Sequence, residues 1–147
     1  MSRKQTEPTV AGTGLTATSA ALADLRVLLV DDLIDTVQSF AMLLELDGAK
    51  VATAGGARQA LSLAAAQDFD LLLCDIGMPE MDGFELIATL RKSGRNACIP
   101  AIALTGYGRE SDAQRATTAG FDRHMGKPVR LEELTRVAGE LLRSRER

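Results

Sequence analysis

The stretch "LRVLLVDDLID", residues 25–35, decides the reading of this chain. Four apolar residues run directly into the adjacent carboxylates Asp31 and Asp32, and a helical period then resumes. Two like charges at the end of a buried strand repel each other unless something positive holds them there. The same pattern, a short apolar run followed by a helix-period segment, recurs along the rest of the sequence. Arg26–Val30, Lys50–Ala54, Asp70–Cys74, Ile99–Leu104 and Phe121–Met125 read as strands. Helices are expected over 35–46, 57–66, 83–92, 109–118 and 131–144, with Gly48 placed where a left-handed cap would end the first of them. Strands that are apolar without alternation are buried on both faces, as in a parallel sheet covered by helices. Five β-α units joined by right-handed crossovers therefore predict an α/β fold, a doubly wound (βα)5 three-layer sandwich. Ligands of such sheets bind outside the carboxyl ends of the strands.

Composition narrows the possibilities further. The chain has 147 residues, 46% of them hydrophobic, with no Trp, one Tyr and four Phe, which suits one domain with an aliphatic core. A net charge of −3 and the lack of any Lys/Arg cluster argue against a direct nucleic-acid partner. Cys74 and Cys98 form no C-x-x-C pair and suit a reduced, cytoplasmic chain. Arg3, Lys4 and the Ala-Leu-Ala at 21–23 imitate a signal peptide without its apolar middle, and no run approaches the ~18 residues of a membrane span. Residues 1–24, rich in Thr, Ala and Gly, read as a flexible tail or linker, leaving 25–146 as the domain.

The strand ends collect the chemistry. Asp31 and Asp32 end strand one, Asp75 ends strand three in "LLLCDIGMPEMDG" (71–83), Thr105 ends strand four, and Lys127 follows strand five before Pro128. In a parallel sheet all of these converge on one edge. A hard divalent cation with oxygen ligands, Mg²⁺, fits three crowded carboxylates, and the lysine supplies further positive charge. Metal, ammonium, hydroxyl and carboxylate are also the parts required for phosphoryl transfer to an aspartate, in which catalysis is mostly positioning and charge neutralisation.

These residues resemble the receiver domain of bacterial two-component response regulators over about residues 25–144. The resemblance rests on Asp31-Asp32, Asp75 with Met78-Pro79 and Asp82-Gly83, Thr105, and Lys127-Pro128, with separations of 43 residues from Asp32 to Asp75, 30 on to Thr105 and 52 from Asp75 to Lys127. It implies a flavodoxin-like sheet of order 2-1-3-4-5. It makes Asp75 the phosphoacceptor, Thr105 the switch hydroxyl and Lys127 the phosphate-pairing cation. The implied Mg²⁺ is held by Asp32, by Asp75, by the Gly77 carbonyl and, through water, by Asp31. The implied donor is a sensor histidine kinase or a histidine phosphotransfer protein. Such a chain is a signalling phosphoacceptor rather than an enzyme, catalysing only its own phosphorylation and slow autodephosphorylation, as a monomer or weak dimer.

His124 stands where the family carries Tyr or Phe. It reads either as a smaller switch ring, able to titrate near neutral pH, or as an exposed strand-edge histidine. Arg130 also departs, occupying a position that suits a capping Asp or Ser. Tyr107 reads as an overhang that controls water access or as an exposed loop residue. An aspartate-nucleophile phosphatase needs a second acid two residues after Asp75, where Gly77 stands, and a flavin binder needs a phosphate loop and stacking aromatics. A nucleoside triphosphate enzyme needs a G-x-x-x-x-G-K-[ST] stretch, which the sequence does not contain. A receiver-like interaction module that is never phosphorylated is the remaining alternative. With about three residues beyond the last helix, no output domain is expected, and the output would be a surface of helix four, strand five and helix five read by a protein target. The chain is expected to be either a free-standing regulator or the C-terminal receiver of a hybrid kinase.

Overall fold

The structure, a computed structural model, describes residues 22–76, 83–92, 94–105 and 110–145. Five strands, β1 (Arg26–Val30), β2 (Lys50–Ala54), β3 (Leu71–Asp75), β4 (Ala101–Thr105) and β5 (Arg123–Gly126), alternate with five helices. These are α1 (Ile34–Leu46), α2 (Ala57–Ala66), α3 (Gly83–Lys92), α4 (Glu110–Ala119) and α5 (Leu131–Arg145). All strand pairs are parallel, in the order β2-β1-β3-β4-β5, as expected for this flavodoxin-like sandwich.

The uninterrupted apolar runs are explained by two cores, one on each face of the sheet. Leu28 and Val30 of β1 join Leu72 and Cys74 of β3 and Ala101 and Ala103 of β4 under α2 and α3. Their alternates Val27, Leu29, Leu71, Leu73, Ile102 and Leu104 join α1 and α5 on the other face. Successive side chains of a strand point to opposite faces, so a strand covered on both sides must be apolar at every position. Helix faces match. Val37, Ala41 and Leu44 of α1 and Leu134, Val137, Ala138 and Leu141 of α5 fill one core at the spacing of a single helical stripe. Gly48 has φ +101 and its N–H donates to the Glu45 carbonyl at 3.0 Å, ending α1 in the left-handed cap read from the sequence.

Three strands shift from the sequence reading at both ends. β3 runs one residue later than expected and takes in Asp75 itself. β4 starts at Ala101 because Pro100 has no N–H for a ladder, and Ile99 N–H is used in a turn to the Asn96 carbonyl at 3.2 Å. β5 starts at Arg123 because Phe121 N–H still bonds back to Ala116 in α4 at 2.9 Å. The folded unit also begins before residue 25. Leu22, read as part of the tail, is fully buried with Leu44, Ala49 and Leu141, and Asp24 N–H donates to the Gly48 carbonyl at 2.9 Å. No helix among the described residues is long and apolar enough to cross a membrane.

Candidate functional site

The C-terminal ends of β1, β3 and β4 and the turn after β5 bring the predicted residues together. Carboxylate oxygens of Asp31, Asp32 and Asp75 all lie within 4.8 Å of one another. Asp31 is only 2% exposed and Asp75 8%, so two of these charges are held largely out of water. Burying a carboxylate without a partner costs several kcal/mol, and the surroundings supply partners. One Asp31 oxygen accepts the Leu33 N–H at 3.0 Å, and the other accepts the Lys127 ammonium at 2.9 Å. The same ammonium stands 3.5 Å from Asp75. Burial pushes the Lys127 pKa down, but the hydrogen bond to Asp31 and the charges of Asp75 and Asp31 outweigh it and set it above the ordinary lysine value. Lys127 is carried to this position by the backbone: its N–H donates to the Thr105 carbonyl at 2.8 Å.

α1 starts from Leu33 with no side-chain cap, because the aspartates that precede it are turned into the site. Between α1 and the turn after β5 opens a cleft of about 700 Å³, walled by Phe40, Leu43, Pro128 and Val129 with Asp31 and Lys127 at its edge. Leu33, just before α1, and Met42, Leu43 and Leu46 in its last two turns expose between 46% and 84% of their surface.

Thr105, fully buried at the end of β4, directs its hydroxyl at the Met125 carbonyl across a long 3.4 Å contact. His124 pairs with Ala103 in the ladder and is exposed. Arg130 serves the start of α5 through its carbonyl, which accepts the Leu134 N–H at 2.9 Å, and its side chain is exposed. Gly77, Met78, Pro79, Met81, Asp82, Gly106 and Tyr107 lie outside the described residues.

Sequence reading missed what Gly83 does. The spacing places it only as the first residue of the third helix, yet a Cβ there would stand 2.7 Å from Ile76 Cα and 2.8 Å from the Asp75 carbonyl oxygen, closer than real contacts allow. Gly83 therefore lets α3 start in direct contact with the backbone of Asp75. Its N–H donates to the Ile76 carbonyl at 3.2 Å. The composition of the loop gives no signal of such a contact, since any turn glycine looks the same.

A doubly wound parallel sheet with an acidic cluster and one ammonium at its carboxyl edge defines a class, and comparison with known proteins places the chain within it. The family model for the response regulator receiver domain matches residues 27–138. The chain belongs to the response regulator receiver family. It is 46% identical over 116 residues to an uncharacterized 14.6 kDa protein of the sodA1 3' region of Leptolyngbya boryana, covering 79% of this chain and 88% of that protein. It is 38% identical over 130 residues to the sensor histidine kinase AruS of Pseudomonas aeruginosa, covering 87% of this chain but only 13% of the kinase. Among solved structures, the CheY-like receiver domain protein of Methanospirillum hungatei JF-1 superposes with a TM-score of 0.76 at 31% identity, covering 84% of this chain and 98% of that one. The family supports a phosphoacceptor role in two-component signalling.

Proposed function

We propose that the chain takes a phosphoryl group onto Asp75 from the histidine of a sensor kinase or a phosphotransfer protein, in the cytoplasm, and thereby changes a surface read by a protein target. The observation that carries this reading is the shared ammonium. Lys127 touches both Asp31 and Asp75, at 2.9 and 3.5 Å, two of three carboxylates whose oxygens converge within 4.8 Å. Hard oxygen donors at this separation suit Mg²⁺, with Asp32, Asp75 and the Gly77 carbonyl as its direct protein ligands. Both oxygens of Asp31 are already engaged, by Leu33 N–H and by Lys127, which supports a role for Asp31 through water. When bound, the ion neutralises charge on the incoming phosphoryl oxygens.

The protein's own groups do the rest. An Asp75 carboxylate oxygen attacks phosphorus while the bond to the donor's imidazole nitrogen breaks. The electron pair of that bond returns to the nitrogen, and an acyl phosphate forms on Asp75. Lys127 lies within 3.5 Å of the nucleophile's carboxylate and can follow the transferred oxygens without changing its backbone position. The Thr105 hydroxyl, held by a long and therefore weak contact to Met125, can leave it for a phosphoryl oxygen at small cost. The cleft walled by Phe40, Leu43, Pro128 and Val129, with Asp31 and Lys127 at its edge, offers the donor protein a landing face next to the site.

Intact-mass measurement after incubation with acetyl phosphate and Mg²⁺ tests the reading. A single phosphoryl adduct that disappears in Asp75→Asn and with a chelator is expected. An adduct that persists in Asp75→Asn, or none with either acetyl phosphate or a cognate kinase, would leave the chain as a receiver-like interaction module.

A further inference from the structure

Among the described side chains, α4 is the least anchored of the helices. α3 buries Leu86, Ile87 and Leu90 and α5 buries Leu134, Val137, Ala138 and Leu141, whereas within residues 114–119 of α4 only Ala116 is buried. The C-terminal end of α4 is nevertheless pinned. The Arg91 guanidinium of α3 donates to the Gly120 carbonyl from Nε at 3.0 Å and from a terminal nitrogen at 2.9 Å. It also pairs at 3.2 Å with Asp122, whose carboxylate accepts the Ala101 N–H at 2.9 Å. Further along the helix the tie to α3 is of another kind: the Arg115 guanidinium lies over the Phe84 ring, 4.2 Å from its centroid. A groove of about 520 Å³, lined by Phe84, Gln114, Arg115, Thr118 and Ala119, lies at the same junction, so the side chains there are not close-packed between the two helices.

The two partners of this contact connect to the two halves of the site. Phe84 directly follows Gly83, whose backbone abuts that of Asp75. Arg115 belongs to the helix that the chain enters after Thr105. In the structure the Thr105 hydroxyl lies on the Met125 carbonyl and His124 is exposed, which we take as the unphosphorylated arrangement.

We propose that the Arg115–Phe84 contact is a latch that holds α4 against α3 in the resting arrangement, opposing the shift that a phosphoryl group on Asp75 favours, with the Arg91–Gly120 clamp as the fixed pivot. This rests on Asp75 being the phosphoacceptor. With only Ala116 buried among residues 114–119, this end of α4 opens more easily than the better-buried α3 and α5, so one contact can bias it. A cation–π pair at an exposed site is worth about a two- to fivefold change in an equilibrium constant. In a chain whose resting state predominates, removing the latch tightens any ligand selective for the active state by that same factor.

The test uses the full chain with Arg115→Met, Phe84→Leu, the double variant and Arg115→Lys. Hydrogen exchange of the amides of residues 114–119 reads the latch without ligand. Beryllium fluoride with Mg²⁺, a phosphoryl-shaped ligand of carboxylates, is titrated by the fluorescence of Tyr107, the only tyrosine in a chain without tryptophan. Each single variant is expected to speed exchange in α4 and to lower the beryllium fluoride midpoint about two- to fivefold. The double variant should go no further than either single one, and Arg115→Lys should fall nearer the wild type. Unchanged exchange in the single variants, faster exchange with an unchanged or raised midpoint, or additive effects in the double variant would overturn the latch. A wild-type chain that ignores beryllium fluoride, while exchange still responds to the variants, would instead remove the phosphoacceptor reading and with it the regulatory role of the contact.

Discussion

Replacing Lys127 by methionine keeps most of the stem and deletes the charge that Asp31 and Asp75 share. At an effective dielectric constant of about 20, the gross attraction is about 6 kcal/mol to Asp31 at 2.9 Å and about 5 kcal/mol to Asp75 at 3.5 Å. Desolvation of the three groups cancels much of this, and removal of one partner of a buried pair costs about 3–5 kcal/mol net. The Lys127 side chain is 24% exposed, so solvent screening places the loss near about 3 kcal/mol, or roughly 10 °C in Tm for a domain of this size. Lys127→Met should therefore melt well below the wild type in EDTA. Because the charge shared by Asp31 and Asp75 is then gone, added Mg²⁺ should stabilise the variant more than the wild type; at a hundredfold excess over the variant's Kd its own gain is about 2.7 kcal/mol, and the wild type, binding more weakly, gains less. The pKa of Lys127 is raised in the folded state. Its contribution is thus fully present below the unfolded lysine value of 10.5 and is lost as pH rises through the higher folded value. The gap between wild type and variant should stay constant from neutral pH to about pH 9 and close only above about pH 10.5. Calorimetry across pH with EDTA or Mg²⁺ decides the matter. Equal melting of the two proteins in EDTA at pH 7, or a gap that closes between pH 7 and about pH 9, would refute the reasoning.

Three further perturbations bear on parts of the fold that support the site. Asn96→Leu removes hydrogen bonds to the Phe69 N–H and to the Ala64 and Gln67 carbonyls at 2.6–2.9 Å, leaving the end of α2 unsatisfied; urea unfolding should show a loss of about 2–4 kcal/mol. Gly83→Ala forces a methyl against the backbone of Asp75 and Ile76, which should cost about 1–3 kcal/mol in urea and slow adduct formation from acetyl phosphate. Leu22→Ala, at a fully buried position, should cost about 2–4 kcal/mol in the same assay, whereas a side chain in a mere tail would cost nothing measurable.

The parts of the fold that were legible in the sequence were those written in local period. β1 and β2 fall where their apolar runs predict, and Gly48 ends α1 with the positive φ that its position implied. The site was legible for a related reason: parallel strands bring their C-terminal ends to one edge, so Asp31, Asp32, Asp75, Thr105 and Lys127 had to converge once the topology was right. Interactions between distant segments were not legible. Leu22 sits in a Thr/Ala/Gly-rich stretch whose composition carries no sign that it shares a core with Leu44 or that Ala23 lies against Gly48. Asn96 looks like any loop asparagine until its amide is seen to close the end of α2. Strand limits moved by one or two residues wherever a single group intervened, as Pro100 does at β4. Nor could the sequence show that Lys127 rests on Asp31 more closely than on Asp75, because that preference depends on which carboxylate oxygen the Leu33 N–H has already taken.

The carboxylate that accepts the phosphoryl group can be identified chemically. Reduction of the acetyl phosphate-treated protein with borohydride converts an aspartyl phosphate to homoserine, and peptide mass mapping then locates it. Homoserine at position 75, dependent on Mg²⁺ and unaffected elsewhere in the chain, is the predicted result. Homoserine at position 31 or 32, or labelling spread over the surface aspartates without regard to Mg²⁺, would contradict the assignment of Asp75 as the phosphoacceptor.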